Sequence, residues 1–185
     1  MKHRLRWILI AGCSFLTGLV GLFLWNAAHV GNVLDRYQGV PVYDNGLLFF
    51  RSYGRHYGAD SYYYGQKWQC VEYIKRFYRD ALDHKMPEVM GHAKSFFDET
   101  VPDGGVNPQR DLVQYRSGST EKPCPNDLIV FADTKYGHVG IVTDVTNDFV
   151  ESSNKTSLAE LSSVSHWWKA MVIILLQNPD SLRVG

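Results

Sequence analysis

The chain has 185 residues, 45% hydrophobic and 21% charged, a balance that excludes a disordered polymer and suits one folded domain with an appendage. Nineteen Lys and Arg match nineteen Asp and Glu, so formal net charge is zero, and no long basic run lies outside the N-terminus. Phosphate binding needs clustered positive charge, which argues against nucleic acid as a main partner. The first segment, residues 1–30, is set apart from the rest. Basic MKHRLR precedes a stretch from Trp7 to Trp25 without a single charge. As a helix, those residues span about 28 Å, close to the hydrocarbon thickness of a bilayer. The positive flank and the terminal tryptophans predict an anchor with its N-terminus in the cytoplasm and residues 31–185 outside it. Two alternatives stay open: a cleaved signal peptide with Ala27 and Ala28 near the cut, and a lipoprotein box in IAGC ending at Cys13.

Residues 26–40 read as a linker. GVPVYDNGLLFF (39–50) predicts a short strand or hairpin around the turn signal Asp44-Asn45-Gly46, and the Gly- and Tyr-rich stretch 51–65 an irregular loop. From Cys70 the apolar period changes to three and four, through Val71, Ile74, Phe77, Tyr78, Ala81 and Leu82. Glu72, Lys75, Arg76, Arg79 and Asp80 fill the other face. That is an amphipathic helix of about three turns. A second helix is expected over 91–99, then a loop-rich region to residue 127. Strands are expected at 127–133, 138–145, 149–154 and 167–177. The order gives an α+β class, an antiparallel sheet with helices packed on one side.

Three cysteines are present, with no spacing that resembles a zinc site. For Cys70 three readings stand: a core residue, half of a disulfide with Cys124, or a nucleophile. The nucleophile reading has a mechanism. The N-terminus of a helix supplies partial positive charge and unpaired amides, which favour a thiolate and can hold an oxyanion. A base is then needed, and among seven histidines His138 stands out because it opens an apolar strand right after another. Alone, such a histidine is more often structural. The following hairpin brings FVESSN back, so Glu151 or Asn154 could orient the imidazole, with the period of two turning Glu151 inward if Phe149 is inward. Gln69 adjoins the thiol and either shapes the oxyanion site or binds backbone. The eleven tyrosines and five tryptophans read first as core and rim residues rather than a stacking surface.

Three blocks carry a resemblance. YGQKWQCVEYIKRFY, PNDLIVFADTKYGHVGIVTDV and FVESSN are similar to the cysteine, histidine and acid or amide blocks of the CHAP family, cysteine- and histidine-dependent amidohydrolases and peptidases of papain-like (NlpC-type) fold. GVPVYDNG and the Lys-Trp-Gln-Cys-Val-Glu run resemble one branch, the amidase domain of glutathionylspermidine synthetase/amidase. The resemblance covers about residues 39–176. It implies an amidase domain over 31–185, with Cys70 as nucleophile, His138 as base, Glu151 as orienting residue, support from Gln69 and Asn154, and no metal or organic cofactor. The spacing Glu-Ser-Ser-Asn departs from the family's Glu-x-Asn, and an alignment can instead set Ser152 against the family's Glu. Implied substrates are peptidoglycan peptide or amide bonds outside the membrane, or a glutathionyl-polyamine. A non-catalytic module that keeps the fold is the reading from a different class.

Overall fold

The computed structural model describes residues 2–48, 50–132, 134–145, 150–153 and 171–175. Helix α1 runs Lys2–His29 and is apolar all round. Its stretch Arg6–His29 is long and apolar enough for a membrane span or a signal sequence, and its most apolar window packs against nothing. The expected linker is structured instead. Helix α1 extends through residue 29, and β1 (Val33–Tyr37) pairs with β2 (Val40–Tyr43). The hairpin turns at Gln38-Gly39, both at positive φ, rather than at Asp44-Asn45-Gly46. A second hairpin, β3 (Arg55–Tyr57) with β4 (Tyr63–Gln66), occupies the expected irregular loop.

Helix α2 (Cys70–Leu82) matches the predicted span. It stops where Asp83 adopts the left-handed conformation and returns its N–H to the Tyr78 carbonyl. The expected helix at 91–99 is only a 3-10 turn, Ala93–Phe96. It ends where Phe97 turns extended, and its first-turn Lys94 amide donates to the Tyr136 carbonyl (2.9 Å).

Six strands build the main sheet, in the order β5-β6-β10-β7-β8-β9, every neighbour antiparallel. They are β5 (Gly105–Asn107), β6 (Leu112–Arg116), β7 (Leu128–Phe131), β8 (His138–Val145), β9 (Val150–Ser153) and β10 (Met171–Leu175). Strands β5 and β6 fall inside the stretch read as loop. The last strand, β10, inserts between β6 and β7 rather than adding at an edge. Ile74, Phe77 and Tyr78 of α2 pack on Leu128 and Val130 of β7 and on Val139 and Ile141 of β8. Each such side chain contributes about 1.5–3 kcal/mol by burial. Ile129 and Val142, on the alternate positions, form a second cluster with Tyr115 and Phe131. The Tyr78 hydroxyl donates to the Asn126 carbonyl (2.9 Å), tying the helix to the turn before β7.

Candidate active site

Cys70 is the first residue of α2, following Gln69 in extended conformation (φ −78°, ψ 160°). The sequence places it there because Trp68-Gln69 ends the hairpin segment and the amphipathic pattern starts at Val71. It packs against the cluster that holds Val139 and Ile141. Burial pushes the Cys70 thiol up from its ordinary value, while backbone hydrogen bonds from Val139, Val71 and its own amide pull it down. The net upward shift reverses the expectation that the helix N-terminus makes a resting thiolate. Cys70 lies in a densely packed region, and desolvation of the anion outweighs the amides. A direct consequence is testable. Alkylation of Cys70 by iodoacetamide, followed by peptide mass spectrometry, should still climb above the ordinary thiol range of about pH 8.5. A rate that levels off below pH 8 would contradict the shift.

All three cysteines are free, so the Cys70–Cys124 disulfide is absent. The sulfur meets the amide of Val139, the residue after His138. Positions 70 and 139, far apart in sequence, are thus brought to one place by α2 lying on β8. His138 opens β8 opposite Phe131, their rings 6.0 Å apart. Gly137 before it is at φ +70°, and a Cβ there would lie 2.7 Å from the Phe131 carbonyl oxygen and 2.9 Å from the Lys94 amide. Only glycine fits that approach, so it fixes how the chain enters the histidine position. Val139 and Ile141 occupy the α2-facing phase of the strand; His138 shares the other phase with Gly140 and Val142. The sulfur meets the strand at the Val139 amide, one residue after His138.

The ladder does not bring Glu151 to His138. Glu151 pairs with Asp144, six residues along β8 from His138 and so about 20 Å away at strand rise. Ser152 pairs with Val142 and Ser153 with Ile141, across a bulge. Asn154 lies outside the described residues. Gln69 turns its side chain onto backbone: its Nε2 donates to the Arg51 carbonyl (3.0 Å).

Beneath the helix start lies a polar network that sequence reasoning assigned to a solvent face. Glu72 is 1% and Arg76 4% exposed. Arg76 Nε donates to Glu72 Oε1 (2.6 Å), and His56 Nδ1 lies 2.7 Å from the same oxygen. Arg76 also donates to the Pro41 carbonyl (2.8 Å) and sits over the Tyr43 ring. Trp68 packs against Tyr43 with the rings tilted (4.1 Å) and meets His56 edge-on (5.3 Å). The i, i+4 spacing of Glu72 and Arg76 was the available signal; His56 gave none. A shallow cavity lined by Ala59, Asp60, Tyr64, Arg79 and Asp80 sits toward the other end of α2 and is separate from the thiol. Among the described residues, no group of three or more His, Cys, Asp or Glu side chains could hold a metal.

Residues 61–156 match the CHAP domain, and they contain both Cys70 and His138. The chain belongs to the CHAP family. Amidase or peptidase chemistry is what this CHAP domain indicates. Over 148 residues the chain is also 28% identical to a trypanothione synthetase of Crithidia fasciculata. That match covers 77% of this chain but 22% of the relative, so the chain spans about a fifth of that protein's length. The CHAP match takes in β4, helix α2 and strands β5 to β9, leaving α1 outside it.

Proposed function

We propose that this CHAP protein is a thiol-dependent amide hydrolase of papain-like fold, with Cys70 as nucleophile and His138 as base. The observation that carries this reading is the Cys70 sulfur lying at the opening of α2 against the amide of Val139, beside His138. Because burial favours the neutral thiol, His138 removes the proton as the sulfur attacks the amide carbonyl. Amides at the start of α2 hold the oxyanion. The C–N bond breaks, His138 gives its proton to the leaving amine, and a thioester remains. Water, deprotonated by His138, attacks the thioester; the C–S bond breaks, the acid leaves and the thiol regains its proton. Glu151 or Asn154 orients the imidazole, and the pairing of Glu151 with Asp144 counts against the former.

Helix α1 anchors the enzyme with residues 31–185 outside the cytoplasm, and the substrate is a peptide or amide bond of peptidoglycan, the abundant amide polymer there. A second reading is favoured by the match to a trypanothione synthetase and by the Lys-Trp-Gln-Cys-Val-Glu run: an amidase acting on glutathionylspermidine. Its weakness is compartment, because that substrate is expected in the cytosol.

One experiment separates the two. Detergent-solubilised full chain is incubated with purified peptidoglycan and, separately, with glutathionylspermidine, and products are read by mass spectrometry. Muropeptide products support the wall hydrolase and name the bond. Cleavage of glutathionylspermidine alone replaces it with the second reading. No product from either removes both substrates.

A further inference from the structure

We propose that the loop carrying Leu47, Leu48 and Phe50 is a second membrane contact, set in the bilayer interface beside α1. This rests on the reading of α1 as a membrane anchor. The loop is fastened to the end of that helix. Leu47 N–H donates to Asn26 Oδ1 (2.6 Å), Gly31 N–H to the Asp44 carbonyl (2.9 Å), and Asp44 N–H to the Asn32 carbonyl (2.8 Å). Asn26 and Asn45 are buried at this junction, 8% and 2% exposed. Gly46, at φ +71°, brings the backbone so close that a Cβ would lie 2.5 Å from Asn26 Oδ1 and 2.6 Å from Val30 Cγ2. The junction is therefore closely packed and holds the loop at a defined height along α1.

That height is the membrane boundary. Asn26 directly follows Trp25, the tryptophan that ends the uncharged stretch, and Trp25 is itself exposed and stacked on His29. An aromatic in that position marks the interface of a spanning helix. At this level the loop turns its apolar side chains outward: Leu47 and Leu48 are each 44% exposed and Phe50 74%. Three large apolar residues on one short loop are costly in water and suited to the headgroup–acyl boundary. Arg51 follows at once, placing a cation where phosphate headgroups lie. Continuity with the apolar surface of α1 selects lipid as the occupant.

The contact also orients the active site. The Arg51 carbonyl holds Gln69, the residue before Cys70, and the Trp68 indole lies against Gly31 just beyond α1. The thiol thus lies at the membrane-proximal end of the domain, and its amide substrate is taken close to the bilayer surface.

The test uses the full chain with Cys13→Ser, Cys70→Ala and Cys124→Ser, so that one new cysteine carries a nitrobenzoxadiazole label. Leu48→Cys is compared with Lys85→Cys, just beyond the other end of α2. Both are reconstituted in phosphatidylcholine–phosphatidylglycerol vesicles. Expected at position 48 is several-fold stronger quenching by brominated lipid than at 85, with several-fold weaker quenching by aqueous iodide. Phe50→Cys gives the same readout should Leu48→Cys fail to fold. Equal quenching at 48 and 85 overturns the proposal. Shielding from iodide without quenching by brominated lipid also overturns it and assigns the loop to a protein partner. Alkaline carbonate extraction of the same vesicles tests the anchor separately: protein that is released overturns the anchor reading and this one with it, whereas retained protein with an aqueous position 48 overturns the loop alone.

Discussion

Replacing Cys70 with Ala should lower kcat/KM by at least about a thousandfold on whichever amide substrate the product assay identifies, without shifting the melting temperature by more than a few degrees. In the proposed mechanism the sulfur, on the first residue of α2, is the group that forms the thioester. His138→Ala should cost a comparable factor, because burial pushes the Cys70 thiol up and the proposed mechanism assigns removal of its proton to His138. In the proposed mechanism the two residues act as one unit. The double variant should therefore be no more than a few-fold worse than either single one, far short of the product of the two losses. Activity of Cys70→Ala within tenfold of the parent would remove the nucleophile assignment. Multiplying losses in the double variant would separate His138 from the thiol chemistry.

The second large effect is on stability. Glu72→Ala should destabilise the fold by about 3–5 kcal/mol, since it leaves the Arg76 guanidinium buried without its carboxylate. For a chain of this size that corresponds to a fall of about 6–20 °C in the thermal midpoint of the detergent-solubilised protein. The cost is that of an orphaned charge rather than the worth of the pair. Glu72→Leu combined with Arg76→Met should therefore recover most of the loss, because apolar residues of similar volume fill the same space without desolvating an ion. A midpoint within 2 °C of the parent for Glu72→Ala would show that the network is open to water. The same network lies close to the thiol in sequence, because Glu72 sits two residues after Cys70 and links the helix start to His56 on β3.

Lys75 makes the parallel point with a single charge. It is 1% exposed, its Nζ donates to the Tyr63 and Val89 carbonyls, and burial holds its ammonium down to about 8. In the sequence, Glu72, Lys75 and Arg76 look like the wet side of an amphipathic helix. Nothing local distinguishes a charge facing water from one facing a partner that arrives from elsewhere in the chain. Here the partners are the β3–β4 hairpin and the segment around Val89, neither of which has a strong pattern of its own.

What the sequence determined by itself is what short-range physics controls. The apolar run from Trp7 to Trp25 imposes a helix of bilayer length, and the period of three and four after Cys70 imposes α2 with the thiol as its first residue. Gly137 before His138 and the apolar run that follows impose β8 from its first residue to its last. The tertiary structure alone decided pairings between distant segments. It set β10 between β6 and β7, laid α2 along β8 so that the sulfur meets the Val139 amide, and slid β9 into a register that carries Glu151 away from His138. It also buried Glu72, Lys75 and Arg76. A strand's period reveals its two faces but not its register, and a helix's charged stripe reveals a face but not its neighbour; both are settled only when remote elements compete to cover the same surface.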